Sequence, residues 1–302
     1  MSQTSKYTYT ADQVTAAFSE ISATLFNGKT VEPIPKLLAV VGLESSGKTY
    51  LLEKNLLPTQ RYTNYVRLYL PQYRKKHPQY EEMIKEGVLH AYEHTESFVR
   101  EVCRMIFTKA FTGKYNIIME SAFDTIDLVS FPPLATASGY QFETHIVGCT
   151  QEFAHVSSFK RALKSLENNE MERFLSVSKL DASMSHAKAI LVALENAAKA
   201  ISGSRINLYE RGFGALKERT QVAQSTYSKA ADGKVTTTTT KVDFSYDAYS
   251  SIIENHVFAV SDRNEMIKEC QLALFQAAIH AEKVPDFVYN ELNAYIVKYV
   301  NR

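Results

Sequence analysis

The sequence predicts a three-layer α/β fold built on a parallel central sheet, followed by a β-hairpin and a helical C-terminal extension. Three observations carry that expectation. Short apolar bursts alternate with long stretches of helical periodicity, the first burst runs directly into a glycine-bearing turn, and a threonine-rich segment behind an Asp-Gly pair breaks the alternation. With 302 residues, 45% of them hydrophobic, the chain can fill a large core and suggests about two domains. The change in composition near Gly212 divides it into a core over residues 1–212 and an extension over 213–302.

Thr10 precedes Val14, Ala17, Phe18, Ile21 and Leu25 at helical spacing, and Asn27-Gly28 stops the pattern, so a first helix is expected within 10–27. Residues 36–41 are apolar and β-branched without alternation, as a strand covered on both faces requires. Further strands are expected at 65–70, 115–119, 142–147 and 205–209. The helices between them are read at 48–55, 79–94, 97–110, 128–138, 154–168 and 182–200. Residues 228–233 form a turn signal, and the β-branched run 235–242 reads as one arm of a hairpin, a solvated polar tract being the alternative. From Tyr246 onward helical periodicity returns.

Lys and Arg number 34 against 33 Asp and Glu, a net charge of +1, which offers no broad attraction to nucleic acid or anionic lipid. No apolar run approaches the ~20 residues of a membrane-spanning helix, and the start lacks a secretory pattern. A cytoplasmic protein is expected, with export as an effector left open. The cysteines Cys103, Cys149 and Cys270 lie far apart, which suits a reducing compartment.

Gly42-Leu43-Glu44-Ser45-Ser46-Gly47-Lys48-Thr49 matches the pattern G-x-x-x-x-G-K-[ST] between an expected strand and an expected helix. This spacing lets backbone N–H groups curl around phosphate oxygens at a helix N-terminus, with Lys48 reaching the β- and γ-phosphates and Thr49 holding Mg2+. The fold is thus expected to be that of P-loop NTPases and kinases. Neither an Asn-Lys-x-Asp segment nor a clear Asp-x-x-Gly accompanies the loop, which disfavours a GTPase. Glu120, at the tip of an expected strand, is placed to hold magnesium through water or to bind a substrate hydroxyl, a loop-capping role being the alternative. His90-Ala91-Tyr92-Glu93-His94 spells H-x-x-E-H, but without a third ligand in view it reads as a polar helix face. Arg74-Lys75-Lys76 can either contact an anionic substrate or form a solvated turn.

In the order of its segments the chain resembles the zeta-toxin family of P-loop kinases, from the loop at Gly42 to about Arg211. Residues 71–80, with Arg74 and His77-Pro78, occupy the place of that family's Asp-x-Phe-[Arg/Lys]-x-x-His-Pro segment. Ile118-Met119-Glu120-Ser121-Ala122 with Asp127 is similar to its third-strand signature. Gly139-Tyr140, Ser157 to Arg161, and residues 206–211 follow in family order.

The resemblance implies ATP or GTP as phosphate donor with Mg2+. It implies a clamp of Lys48, Arg161 and Arg173 on the triphosphate, and Arg74, His77 and Glu120 on the acceptor side. The acceptor would be a nucleotide sugar such as UDP-N-acetylglucosamine, and a small helical antitoxin would be the protein partner. The departure is Pro71, which stands where the family carries the acceptor-side aspartate. Glu120, Asp124 or Glu44 takes over that role, or the acceptor differs, or the chain is a nucleotide-binding pseudokinase or effector acting through a partner protein. A nucleic-acid end kinase is a weaker third reading, disfavoured by the near-zero net charge.

Overall fold

Residues 36–42 carry no polar side chain after Lys36, and the structure buries every one of those six positions in β1 (Lys36–Gly42). The computed structural model describes residues 6–68, 71–168, 173–212, 220–254 and 258–301. The other strands are β2 (Tyr65–Arg67), β3 (Asn116–Ser121), β4 (Gln141–Gly148), β5 (Arg205–Glu210), β6 (Thr220–Lys229) and β7 (Val235–Thr238). They form one seven-stranded sheet in the order β2-β3-β1-β4-β5-β6-β7. The first five run parallel, whereas β6 and β7 are antiparallel additions.

The helices are α1 (Ala11–Leu25), α2 (Lys48–Tyr50), α3 (Tyr80–Lys85), α4 (Val88–His94), α5 (Glu96–Thr112) and α6 (Phe131–Ala137). After them come α7 (Gln151–Glu167), α8 (Val177–Ala200), α9 (Tyr246–Glu254), α10 (Val260–Ile279) and α11 (Asp286–Val300). Alternation along β1 divides the core between the two faces of the sheet. Leu37, Ala39 and Val41 join one large cluster with side chains of α1, α5, α7, α8, α10 and α11. Leu38 and Val40 join a smaller one with Leu51, Leu52, Leu56 and Tyr62. The three layers are therefore very unequal.

Several expected boundaries move for identifiable reasons. The helix read at 79–94 is two helices, because Gly87 sits between α3 and α4 with φ +117, a conformation a side-chain-bearing residue resists. The helix read at 48–55 opens as α2 and continues as a π-helical segment, Leu51–Leu56. The helix read at 128–138 is a 3-10 turn, Ile126–Ser130, followed by α6 with proline in its first turn. Of the strand read at 65–70, β2 covers three residues, and residues 69–70 lie outside the described part. The threonine run pairs with β6 through residue 238, the hairpin turning at Gly233 with φ +83. Val242 then bridges to Ala223 in parallel.

The C-terminal helices belong to the same core as the sheet. Met266, Cys270, Val288, Leu292 and Tyr295 are buried in the cluster that contains Phe153 and Phe159 of α7. Polar contacts reinforce this seam. His155, fully buried, meets the Tyr295 hydroxyl at 2.7 Å through Nδ1 and the Leu175 carbonyl at 2.7 Å through Nε2. Lys298 donates to Glu152 at 2.5 Å, and Lys160 pairs with Glu269. No helix among the described residues is long and apolar enough to cross a membrane.

Candidate active site

The loop after β1 is held in a shape only its own residues tolerate. Gly42 has φ +152, and a Cβ there would stand 2.4 Å from the Val147 carbonyl oxygen, so the loop presses directly on β4. Ser45 and Gly47 adopt φ +60 and +97, which curls the backbone before α2 begins at Lys48. The Ser46 N–H donates to the Leu43 carbonyl at 3.1 Å. Inside the curl, the Oγ atoms of Ser45 and Ser46 are buried with no hydrogen-bond partner. Orphaned donors of this kind in a curled loop fit phosphate oxygens.

Lys48 is 8% exposed, and its Nζ donates to the carbonyl oxygens of Gly42 at 3.0 Å and Leu43 at 2.6 Å. Burial pushes its pKa down to about 8, against the opposing pull of the Glu44 and Glu120 carboxylates, and Arg161 adds to the lowering.

Three further groups close around the loop. The Thr49 hydroxyl donates to Glu120 Oε2 at 2.8 Å, and the other carboxylate oxygen of Glu120 accepts from Arg67 at 2.7 Å. Arg67 also reaches Glu53 at 3.1 Å. The Glu44 carboxylate accepts from Arg173 at 2.9 Å and lies 3.8 Å from Arg161. Burial works to lower the Arg173 pKa, but the charge and hydrogen bond of Glu44 raise it above its ordinary value. On the far side, Arg211 donates to the Ser45 carbonyl at 2.7 Å while its guanidinium stacks 4.4 Å from the Phe153 ring. Burial lowers its pKa.

Magnesium fits this donor set in one way. Among the described residues no group of three or more His, Cys, Asp or Glu side chains could hold a metal. A hydroxyl and one carboxylate, Thr49 and Glu120, suit an ion that takes its remaining oxygens from water and phosphate.

The sequence-predicted residues thus divide. Lys48, Thr49, Glu44, Glu120, Arg161 and Arg173 come together around the loop formed by Gly42, Ser45, Ser46 and Gly47. Asp124 is exposed in the segment after β3. Arg74 and His77, expected on the acceptor side, are both buried among packing partners. Arg74 is 1% exposed, and its guanidinium donates to the Tyr92 carbonyl at 2.9 Å, Thr95 Oγ1 at 3.0 Å and Glu96 at 2.6 Å. It also stacks 3.8 Å from the Tyr92 ring. His77 is wedged between Tyr9 and Phe98, accepts the Gln79 N–H through Nδ1, and has its pKa lowered by burial. Pro71 opens the 3-10 segment Pro71–Lys76, and its side chain lies outside the described part.

The His90 and His94 rings are tilted against each other with centroids 4.3 Å apart, and the Tyr7 hydroxyl lies 3.0 Å from His90 Nε2. Arg67 and Arg211 were not visible as site residues. Each is a lone arginine at a strand end, and only the sheet order brings it to the loop. A cavity of about 520 Å³ lies between Gly87, His90, Leu166 and Lys283, away from Lys48.

Comparison with known proteins supplies the family and the fold. The profile of the Zeta toxin family matches residues 22–227, running past residue 212 into β6. The Toxin PezT of Streptococcus pneumoniae serotype 4 (strain ATCC BAA-334 / TIGR4) is 23% identical over 158 residues, covering 51% of this chain and 60% of PezT. The chain thus spans less than two thirds of the length of that relative. A solved structure from the PezAT chromosomal toxin-antitoxin system of Streptococcus pneumoniae superposes with TM-score 0.61 at 19% identity, over 91% of this chain and 99% of that one. The AvrRxo1-ORF1:AvrRxo1-ORF2 complex with ATP does so with TM-score 0.55 at 13% identity, over 94% and 86%. At those identities the superpositions speak for the α/β fold. The profile, which spans the phosphate loop, Glu120 and both arginines of α7 and the segment after it, places this chain in the zeta toxin family of kinase-like toxins.

Proposed function

We propose that the protein is a phosphotransferase that moves the terminal phosphoryl group of ATP or GTP to a hydroxyl of a small molecule, with a nucleotide sugar such as UDP-N-acetylglucosamine as the acceptor class. The observation that carries this reading is the convergence of Lys48, Arg161 and Arg173, from a loop, a helix and the segment beyond it, on one small volume. Phosphoryl transfer is chiefly a matter of positioning and charge, and three cations at the end of a phosphate cradle supply both. Bound magnesium would add charge neutralisation, held by Thr49 and through water by Glu120.

For the acceptor hydroxyl the candidate carboxylates differ. Glu44 is held by Arg173, and Glu120 by Thr49 and Arg67. Asp124, exposed beyond β3, carries no such partner among the described contacts and is the proposed acceptor-side group in place of Pro71. The test is transfer of label from γ-labelled ATP into an extract of small metabolites. A labelled nucleotide sugar is the expected product, and absence of any labelled product sinks the reading.

The proton state of Lys48 gives a second check. Its pKa is depressed to about 8 in the free protein. Phosphate favours the charged lysine, so binding takes up protons above that pH. Mg-ATP affinity is therefore expected to fall as pH rises through 8. Calorimetry at pH 8.5 in two buffers of different ionisation heat should show net proton uptake, and identical heats in both would contradict it.

A protein partner of antitoxin type and a cytoplasmic setting belong to the same proposal. The alternative, a nucleotide-binding pseudokinase acting by docking another protein, is favoured by one observation. Leu272, Phe275 and Ile279 lie on one face of α10 and are 47%, 70% and 63% exposed. Tight Mg-ATP binding with no phosphorylated product would select it.

A further inference from the structure

A phosphate loop is normally a place where negative charge arrives, not where it resides, and Glu44 sits inside this one. Its side chain is 14% exposed, with Oε2 accepting from Arg173 at 2.9 Å and Oε1 3.8 Å from Arg161. It also raises the Lys48 pKa through its charge, against the dominant effect of burial. One carboxylate therefore touches or faces the same three cations that the proposed reaction needs around a terminal phosphate.

We infer that Glu44 is a positioning residue that stands in for the γ-phosphate in the free protein and exchanges with it for Arg161 and Arg173. This inference rests on the phosphotransferase reading. The chemistry is symmetrical: a guanidinium donates to a carboxylate or to a phosphoryl group through the same pair of N–H bonds. Two anions cannot share the clamp without strong repulsion at short range. A triphosphate must therefore take both arginines from Glu44. A diphosphate has no terminal group to offer them, so the Glu44 pairs stay intact and its binding does not involve that exchange. After transfer, Glu44 recaptures the arginines and keeps them ordered for the next nucleotide.

The two nucleotides should consequently respond differently to loss of the carboxylate. Calorimetric titration of the full-length protein with Mg-ATP and Mg-ADP is the test, on wild type, Glu44→Gln and Glu44→Asp. Removing an ion-pair competitor is expected to tighten Mg-ATP by ~5- to 20-fold in Glu44→Gln, with Mg-ADP changed by less than about threefold. Glu44→Asp keeps the charge and should stay near wild type for both.

Equal tightening of ATP and ADP, no change, or weaker ATP binding in Glu44→Gln overturns the exchange while leaving the cradle intact. The same tightening in Glu44→Asp also overturns it, since charge would not be the cause. If wild type and Glu44→Gln both fail to bind either nucleotide, the phosphotransferase reading falls together with the inference. If only Glu44→Gln binds ATP, the competitor role is supported in its strongest form.

Discussion

Lys48→Ala is expected to reduce phosphate transfer from ATP by at least about 10²-fold, the usual order for a group that stabilises charge on the transferring phosphoryl. Calorimetric binding of Mg-ATP should disappear with it. The size follows from where the amine sits. Lys48 is 8% exposed, and its Nζ is fixed by the Gly42 and Leu43 carbonyls at the mouth of the curl. A cation in so little water acts on a phosphate with far less screening than one on the surface.

The sign of the stability effect separates this outcome from simple unfolding. A lysine whose pKa falls from 10.5 to about 8 on folding costs the fold stability while it is charged. That cost is fully present below pH 8 and is relieved as pH rises toward the unfolded value. Alanine removes the cost, so at pH 7 the melting temperature is expected to hold or rise. A variant that loses transfer and melts many degrees lower would mean that Lys48 is structural.

Arg74→Ala is expected to destabilise the fold by about 1.5–3 kcal/mol, the usual order for losing hydrogen bonds to a charged group, since its partner Glu96 is a third exposed and keeps Arg100. Arg74 is 1% exposed, and the change removes its hydrogen bonds to the Tyr92 carbonyl, Thr95 and Glu96 and empties the space beneath the Tyr92 ring, although Thr95 still donates to that carbonyl and Arg100 to Glu96. Chemical denaturation should show a lower midpoint. Nucleotide binding, measured below that midpoint, should weaken only modestly, because Tyr92 links Arg74 to the site indirectly. The Arg173 guanidinium lies 5.8 Å from the centroid of the same ring. A near-neutral effect on stability would show that the cluster contributes little.

The phosphate site was legible because its signal is local: one octapeptide fixes the curl, the lysine and the hydroxyl in register with the strand before it. The parallel sheet was legible for a similar reason, since β1 is an apolar run of the kind a doubly covered strand requires and shorter apolar bursts recur in β3, β4 and β5 between helical stretches. The burial of Arg74 was not legible, because a basic run at residues 74–76 reads equally as an anion contact or a solvated turn. What buries its first member is Glu96 and Thr95, some twenty positions later, which no spacing rule connects to it. Arg67 and Arg211 were invisible for the same reason. Gly87 was readable in principle as a helix breaker, but the apolar periodicity continuing through Val88 and Leu89 masked it. The partner of Glu44 is an arginine 129 positions away, a distance over which local pattern says nothing.

The seam between α7 and α11 bears on how the molecule is made. His155 and Tyr295 are separated by 140 positions, yet the helix that carries Arg161 is seated against the one that carries Tyr295. A chain emerging from the ribosome has its phosphate loop and first four parallel strands outside the exit tunnel long before residues 286–300 are translated. Units generally fold as their sequence becomes available, so the contact between His155 and Tyr295 is among the last parts of the core that synthesis makes possible.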